Sequence, residues 1–190
     1  MKAFSRMVLL LTFLSPSAFA QWDLSSEDSN INFVSIKSAS IGEVHSFKKI
    51  NGVINDSGQV DLSINLDSVE TNIGIRNDRV KAMLFETDKF LTAKLTGFVD
   101  IEKAVNLKEG ETYTDSVKLT LSLHGIAHQV ENTVRVTKLS DERLLIVSNA
   151  PLILNASDFG LEEGITKLRE VAKLPAIDTA IPVTFSLIFE

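Results

Sequence analysis

Cysteine is absent from the 190-residue chain, so disulfides, thiol catalysis, iron–sulfur clusters and zinc–thiolate sites are excluded. Proline and glycine are sparse, at four and nine residues, and no stretch rich in Pro, Gly or Ser divides the chain. Positive charge is also in short supply. Against 25 Asp and Glu stand 19 Lys and Arg, which argues against a nucleic-acid surface. Beyond Gln21 no run approaches the roughly 18 to 20 apolar residues of a membrane-spanning helix. Catalytic motifs are missing as well: there is no Gly-x-Ser-x-Gly elbow, Gly-Lys-Ser/Thr loop, His-Glu-x-x-His or dinucleotide glycine fingerprint. No catalytic residue, cofactor or metal is therefore assigned.

What is present is 44% hydrophobic and 23% charged residues, the proportions of a globular protein. In residues 1–20, Lys2 and Arg6 precede the apolar run from Met7 to Leu14, and Ala18-Phe19-Ala20 has the small-x-small cleavage pattern. That order predicts a cleaved export leader and a single mature domain at 21–190. Loss of Lys2 and Arg6 takes the formal net charge from −6 to −8.

Period-2 hydrophobicity dominates the mature chain and predicts half-buried antiparallel strands. Val60, Leu62, Ile64 and Leu66 alternate with Asp61, Ser63, Asn65 and Asp67, and Val117, Leu119, Leu121 and Leu123 with Lys118, Thr120, Ser122 and His124. Further strands are expected at 30–38, 44–54, 91–101, 128–139, 143–154 and 183–189, about eight in all. Turn signals lie at Asn55-Asp56-Ser57-Gly58, at Gly125 and from Leu139 to Glu142, while 103–112 reads as a polar connection. Two short helical insertions are expected, at 76–85 with a cap near Asn72 and at 165–172. Such strands can close into a barrel or stack as a sandwich. With about eight strands a barrel is filled by side chains or holds one small ligand.

Several blocks resemble the YceI-like family of exported, lipocalin-like lipid-binding proteins. They are Trp22 followed by Ser29-Asn30-Ile31-Asn32-Phe33, then Phe47-Lys48-Lys49-Ile50-Asn51-Gly52 before the Asp56 to Gly58 turn. The most specific runs from Ser68-Val69-Glu70-Thr71 through Arg76-Asn77-Asp78-Arg79 to Leu84-Phe85 and Lys89-Phe90. Leu121-Ser122-Leu123-His124-Gly125 and Asn155-Ala156-Ser157-Asp158-Phe159-Gly160 follow in the family's order, although Asn77 stands where Asp usually follows the arginine. The resemblance implies an all-β fold, a single antiparallel eight-stranded lipocalin-like barrel with the two helical insertions. It also implies a periplasmic, non-enzymatic carrier of an amphipathic long-chain lipid such as an isoprenoid quinone, a polyprenyl compound or a fatty-acid derivative. A homodimer is compatible with it. The alternatives are a lipid- or quinone-modifying enzyme using the same cavity and a filled β-domain that binds a protein partner.

The residues expected to face the lipid are Phe33, Leu62, Ile64, Leu84, Phe85, Phe90, Leu95, Leu119, Leu121, Phe159, Phe185 and Leu187, with His128 at the pocket mouth. A filled core and a lipid tunnel alternate identically in sequence. Across the Gly125 turn Leu121 is expected opposite Val130, which places His128 on the apolar face and His124 on the polar one and disfavours a shared metal. Arg76, Asp78 and Arg79 form a cluster that can receive an anionic head group; alternatively, Arg76 and Asp78 form an ion pair or cap fixing the helix. Glu162-Glu163 and Asp141-Glu142 read as solvated turn charges.

Overall fold

Alternating apolar and polar residues build an antiparallel sheet whose order in the chain fixes where the interior lies. The computed structural model describes residues 21–190, so the expected leader at 1–20 lies outside the described residues. The strands are β1 (Gln21–Asp23), β2 (Asn30–Lys37), β3 (Ile41–Phe47), β4 (Ile50–Asn55), β5 (Gln59–Asn65) and β6 (Val69–Glu70). After helix α1 (Gly74–Arg79) and its wider π continuation over Val80–Phe85 come β7 (Thr92–Phe98), helix α2 (Ile101–Val105), β8 (Thr112–Leu123) and β9 (Ile126–Lys138). The chain ends with β10 (Leu144–Ser148), β11 (Leu152–Asn155), helix α3 (Glu162–Val171) and β12 (Ala180–Phe189).

All twelve strands belong to one curled sheet, ordered β1-β4-β5-β7-β8-β9-β10-β12-β2-β3-β6 with β11 beside β12. The expectation of eight is corrected, and the cause is local. Lys48 and Lys49 break the expected strand at 44–54 into β3 and β4, and the 3-10 turn Leu66–Ser68 separates β5 from β6. The two breaks lie side by side: the Lys48 N–H donates to the Ser68 carbonyl at 3.1 Å and the Asn65 N–H to the Lys49 carbonyl at 2.9 Å. Two paired runs thus turn one corner together without losing their backbone bonds. Similarly, 143–154 divides into β10 and β11, and α2 occupies the start of the expected polar connection, capped by the Asp100 side chain accepting from the Glu102 N–H.

The curl is fastened at β1. Asp23 and Glu190 exchange backbone hydrogen bonds of 2.8 and 2.9 Å, and Leu24 forms a bridge with Phe189. β12 pairs with both β10 and β2, so its inward side chains face those of β5, β7 and β8 across the interior. The β4–β5 turn follows from Asn55, whose Oδ1 accepts from the Ser57 and Gln59 N–H groups at 3.1 and 2.9 Å. In the β8–β9 hairpin His124 and Gly125 both adopt positive φ, 52° and 79°, the two-residue geometry that matches strand twist. A loop this short joins Leu123 directly to Ile126, so Leu121 pairs with His128 and Leu119 with Val130. The expected Leu121–Val130 register is displaced by two residues.

The helix cap also differs from expectation. Ile73 is the N-cap residue of α1 and caps nothing with its side chain. Asn77 reaches back instead, its Oδ1 accepting from the Thr71 N–H at 2.8 Å and hydroxyl at 2.6 Å while its amide donates to Glu70 at 3.1 Å. An aspartate could accept these bonds but could not donate the last.

Helix α3 lies against the π segment so closely that a Cβ on Gly164 would sit 2.6 Å from the Met83 carbonyl oxygen and 2.8 Å from the Leu84 Cα. Helix propensity alone favours Gly164→Ala by about 1 kcal/mol. Backbone atoms cannot yield as a flexible side chain can, so the steric effect wins. Gly164→Ala should lower unfolding free energy by about 1–3 kcal/mol, the range for overpacking. A denaturant titration showing equal or greater stability would disprove this close contact.

Candidate functional site

The inward rows line a cavity of about 250 Å³. Its lining is apolar apart from Asp100, Tyr113, Asp115 and Asn155. Phe33, Leu62, Ile64, Leu84, Phe85, Leu95, Leu119, Leu121, Phe159, Phe185 and Leu187 all line it. Phe90 and His128 stand outside the lining. Phe90 packs on His124, ring centroids 4.5 Å apart, and against Gly125, while the exposed His128 presents an edge to Phe159 at 5.9 Å. Sequence reasoning passed over Ile31, Phe47, Ile54, Val60, Tyr113 and Val136, all of which the same period-2 rule places on lining rows.

The cavity has unlike ends. Beside α2, Lys103 bonds Asp115 at 3.2 Å and approaches Asp100 at 3.7 Å, and Tyr113 is half-buried among them. Burial, then the charges of Asp115 and Asp100, pushes the Tyr113 hydroxyl pKa up. Toward α1 the rows begin with aromatic rings, Phe33 on Phe47 at 5.4 Å and Phe47 against Phe85 at 5.9 Å. Beyond these rings the rows turn polar. On β2 the inward residues run Ile31, Phe33, Ser35, Lys37; on β3, paired antiparallel, they run Phe47, His45, Glu43.

Glu43 is the hub of this polar group, which lies outside the cavity lining, and is bonded to Lys37 at 2.8 Å and to Arg76 at 2.7 Å. Lys37 first and Arg76 second hold its pKa down at about 2. Arg76 also donates to the Thr71 carbonyl. The expected Arg76–Asp78 pair is therefore corrected: the partner of Arg76 is Glu43, 33 residues away on a strand that sequence spacing could not bring to the helix. His45 is 4% exposed, stands 2.7 Å from the Ser35 hydroxyl through Nε2 and packs on Phe33 at 5.0 Å. Burial, then the Arg76 charge, pushes its pKa down, so the ring is neutral at pH 7. In the sequence, the parity of His45 with Phe47 already places it on the inner face.

The three histidines meet different partners, because His124 faces Glu86 at 3.1 Å, His128 faces Phe159 and His45 faces Ser35. Among the described residues no group of three or more His, Asp or Glu is arranged to hold a metal ion. Glu142 is the solvated charge expected, its side chain 89% exposed, and it also accepts from the buried Lys138 at 2.5 Å.

Residues 22–189 match the family model of the YceI-like domain. Among solved structures, a polyisoprenoid-binding domain from Saccharophagus degradans implicated in plant cell wall breakdown is 37% identical, with a TM-score of 0.87 over 90% of this chain and 98% of that one. Burkholderia cenocepacia BcnA is 16% identical, with a TM-score of 0.64 over 87% of this chain and 98% of that one. A YceI protein of Campylobacter jejuni is likewise 16% identical, with a TM-score of 0.56 over 97% of each chain. The last two share the fold. No curated protein matches the chain. No helix among the described residues is long and apolar enough to cross a membrane.

The ion cluster makes a signed prediction. A carboxyl depressed on folding contributes stability that is complete above the unfolded carboxyl range and is lost as the pH falls through the folded value. For Glu43 that window runs from the usual carboxylate range down to about 2. Glu43→Gln should lower unfolding free energy by about 1–3 kcal/mol at neutral pH, discounted because the cluster is partly solvated. The gap between the two proteins should close as acid is added. Urea titrations giving the same gap from neutral pH down to about 2 would assign Glu43 no ionic role.

Proposed function

Because the chain belongs to the YceI-like family, we propose that it is a periplasmic, non-enzymatic carrier of an amphipathic long-chain lipid of the isoprenoid type. In this reading residues 1–20 direct export and 21–190 act as one lipid-binding β-barrel domain. The observation that carries it is the apolar cavity enclosed by the curled sheet. The polyisoprenoid-binding description of the Saccharophagus degradans relative supports the ligand class.

Energetically, each methylene removed from water contributes about 0.8 kcal/mol, so a hydrocarbon tail is held without a polar anchor. Loss of translational freedom and ordering of a flexible tail offset a large part of that gain. An apolar cavity of about 150 Å³ stays dry and takes up one benzene-sized molecule. The cavity of about 250 Å³ thus takes a short stretch of chain as it stands. A tail of tens of carbons enters when α1, its π continuation and α3 move outward from the sheet end, or when part of the tail emerges at the α2 end.

The enzymatic alternative has one observation in its favour, the Ser35–His45 contact of 2.7 Å. A serine nucleophile needs its histidine oriented by a third group, and among the described residues His45 Nδ1 has no hydrogen-bond partner. Mass spectrometry of lipids incubated with the protein should therefore show binding without conversion.

Leu121 discriminates between a lipid-accepting interior and a filled core. It lies on the cavity wall and is 7% exposed. Leu121→Trp should keep near-native stability without lipid, since the indole projects into open space, and should retain less lipid in organic extracts of the gently purified protein. A loss of about 1–3 kcal/mol or more, the signature of an overpacked core, together with a lipid-free parent protein, would leave the carrier reading without support.

A further inference from the structure

The polar residues of the cavity wall are not spread evenly. Asp100, Tyr113 and Asp115 gather beside α2, whereas Asn155 stands at the α3 end, next to Ala156 of the apolar cluster there. On β8 the pleat puts Tyr113 and Asp115 in one inward row with Val117, Leu119 and Leu121, and all five line the cavity. A hydrocarbon tail lying along Leu121, Leu119 and Val117 therefore meets a carboxylate and then a phenol as the next inward side chains of the same strand. Asp100 lines the cavity and is also exposed, which brings this end to the protein surface.

The chemistry of this end suits one kind of head group. Burial and the two carboxylates push the Tyr113 pKa up, so the phenol keeps its proton at pH 7, and no hydrogen bond to another described residue engages it. Asp115 accepts from Lys103 at 3.2 Å and from the Ser116 N–H at 2.9 Å, two of the roughly four bonds a carboxylate can accept. One free donor and one acceptor with spare capacity thus stand in the same row. Asp100 and Asp115 share the single amine of Lys103, at 3.7 and 3.2 Å, which leaves the group one negative charge in excess. Lys138, the next inward residue after Val136 on β9, is outside the lining and is held by Glu142. A phosphate or carboxylate head would meet like charge in a half-desolvated place, and a bare hydrocarbon end would use neither group. An alcohol uses both. We propose that the Tyr113–Asp115 end of the cavity is a head-group subsite for the uncharged hydroxyl of a free isoprenoid alcohol, and that it selects against phosphorylated and carboxylated forms of the same chain. Tyr113 donates to the alcohol oxygen, and the alcohol donates to Asp115. The subsite rests on the carrier reading above.

The test uses three probes with one chain: farnesol, the hydrocarbon in which hydrogen replaces its hydroxyl, and farnesoic acid at pH 8, where it is ionised. Binding of each to the purified mature protein is measured by calorimetry. Farnesol should bind about tenfold more tightly than the hydrocarbon, the effect of one neutral and one charge-assisted hydrogen bond. Farnesoate should bind about tenfold or more weakly than farnesol. Tyr113→Phe should bring farnesol toward the hydrocarbon, and Asp115→Asn should bring farnesoate toward farnesol. Asp61→Asn makes the same change of charge on the exposed outer face of β5 and should leave both ratios unaltered. If farnesol binds no better than the hydrocarbon, or no better than farnesoate, the subsite is overturned while the carrier reading stands. If none of the three binds, both fail together. Both ratios persisting in folded Tyr113→Phe and Asp115→Asn, or Asp61→Asn acting as strongly as Asp115→Asn, would also overturn the subsite. Should either variant not fold, the two ratios of the unaltered protein decide.

Discussion

An antiparallel sheet with one apolar face must remove that face from water, and this chain does so by turning the sheet on itself. Every other feature follows from that constraint. The paired corner at Lys48–Lys49 and Leu66–Ser68 lets two long runs bend without losing backbone bonds. The Asp23–Glu190 and Leu24–Phe189 contacts then hold the curl. Because the sheet faces itself at a distance set by curvature rather than by side-chain volume, its inner rows meet without filling the middle. A cavity is the geometric remainder, and the helices are needed at the ends because a curled sheet cannot cover its own openings.

Those helices solve opposite problems. Helix α2 closes one end with Ala104 buried and Ile101 packed against the same apolar cluster, while Lys103 reaches Asp115 on β8. At the other end α3 rests backbone to backbone on the π segment through Gly164, and Ile165 and Leu161 complete an apolar cluster with Phe85 and Phe159. The widened π turn puts the Met83 carbonyl and Leu84 against that glycine. An insertion in the hydrogen-bond ladder and a missing side chain on its neighbour thus fit each other.

Much of the fold was legible in the chain because alternation is a direct consequence of the pleat. The rows through Leu62 and Ile64, through Leu119 and Leu121, and through Phe185 and Leu187 could be read without a structure. Strand number could not, since a two-residue corner of lysines has the same polar character as the outward face of an unbroken strand. The β8–β9 register failed for a comparable reason: a single glycine marks a turn but does not say how many residues it takes, and only the positive φ of His124 fixes two. The Arg76–Glu43 pair was hidden by distance along the chain, whereas Asp78 was conspicuous only by adjacency. The volume of the interior was never in the sequence, because it depends on curvature that no local pattern records.

The β3 strand has a consequence for how the molecule lives beside its own copies. It pairs with β2 along its length but with β6 only at Ser46 and Phe47, so the backbone from Ile41 to His45 borders no further strand of the sheet among the described residues. Such a margin is an invitation to a passing strand, and Val44 on its outer face and Ile41 at its start are exposed, at 60% and 49%. Charges turned inward on a sheet margin make it a poor template, because an added strand must bury or displace them. Glu43 and Lys37 are placed in that way, with Arg76 holding the carboxylate in position. The residues that end the oily rows inside the protein therefore also serve as a guard on its rim, keeping an open strand from recruiting another chain.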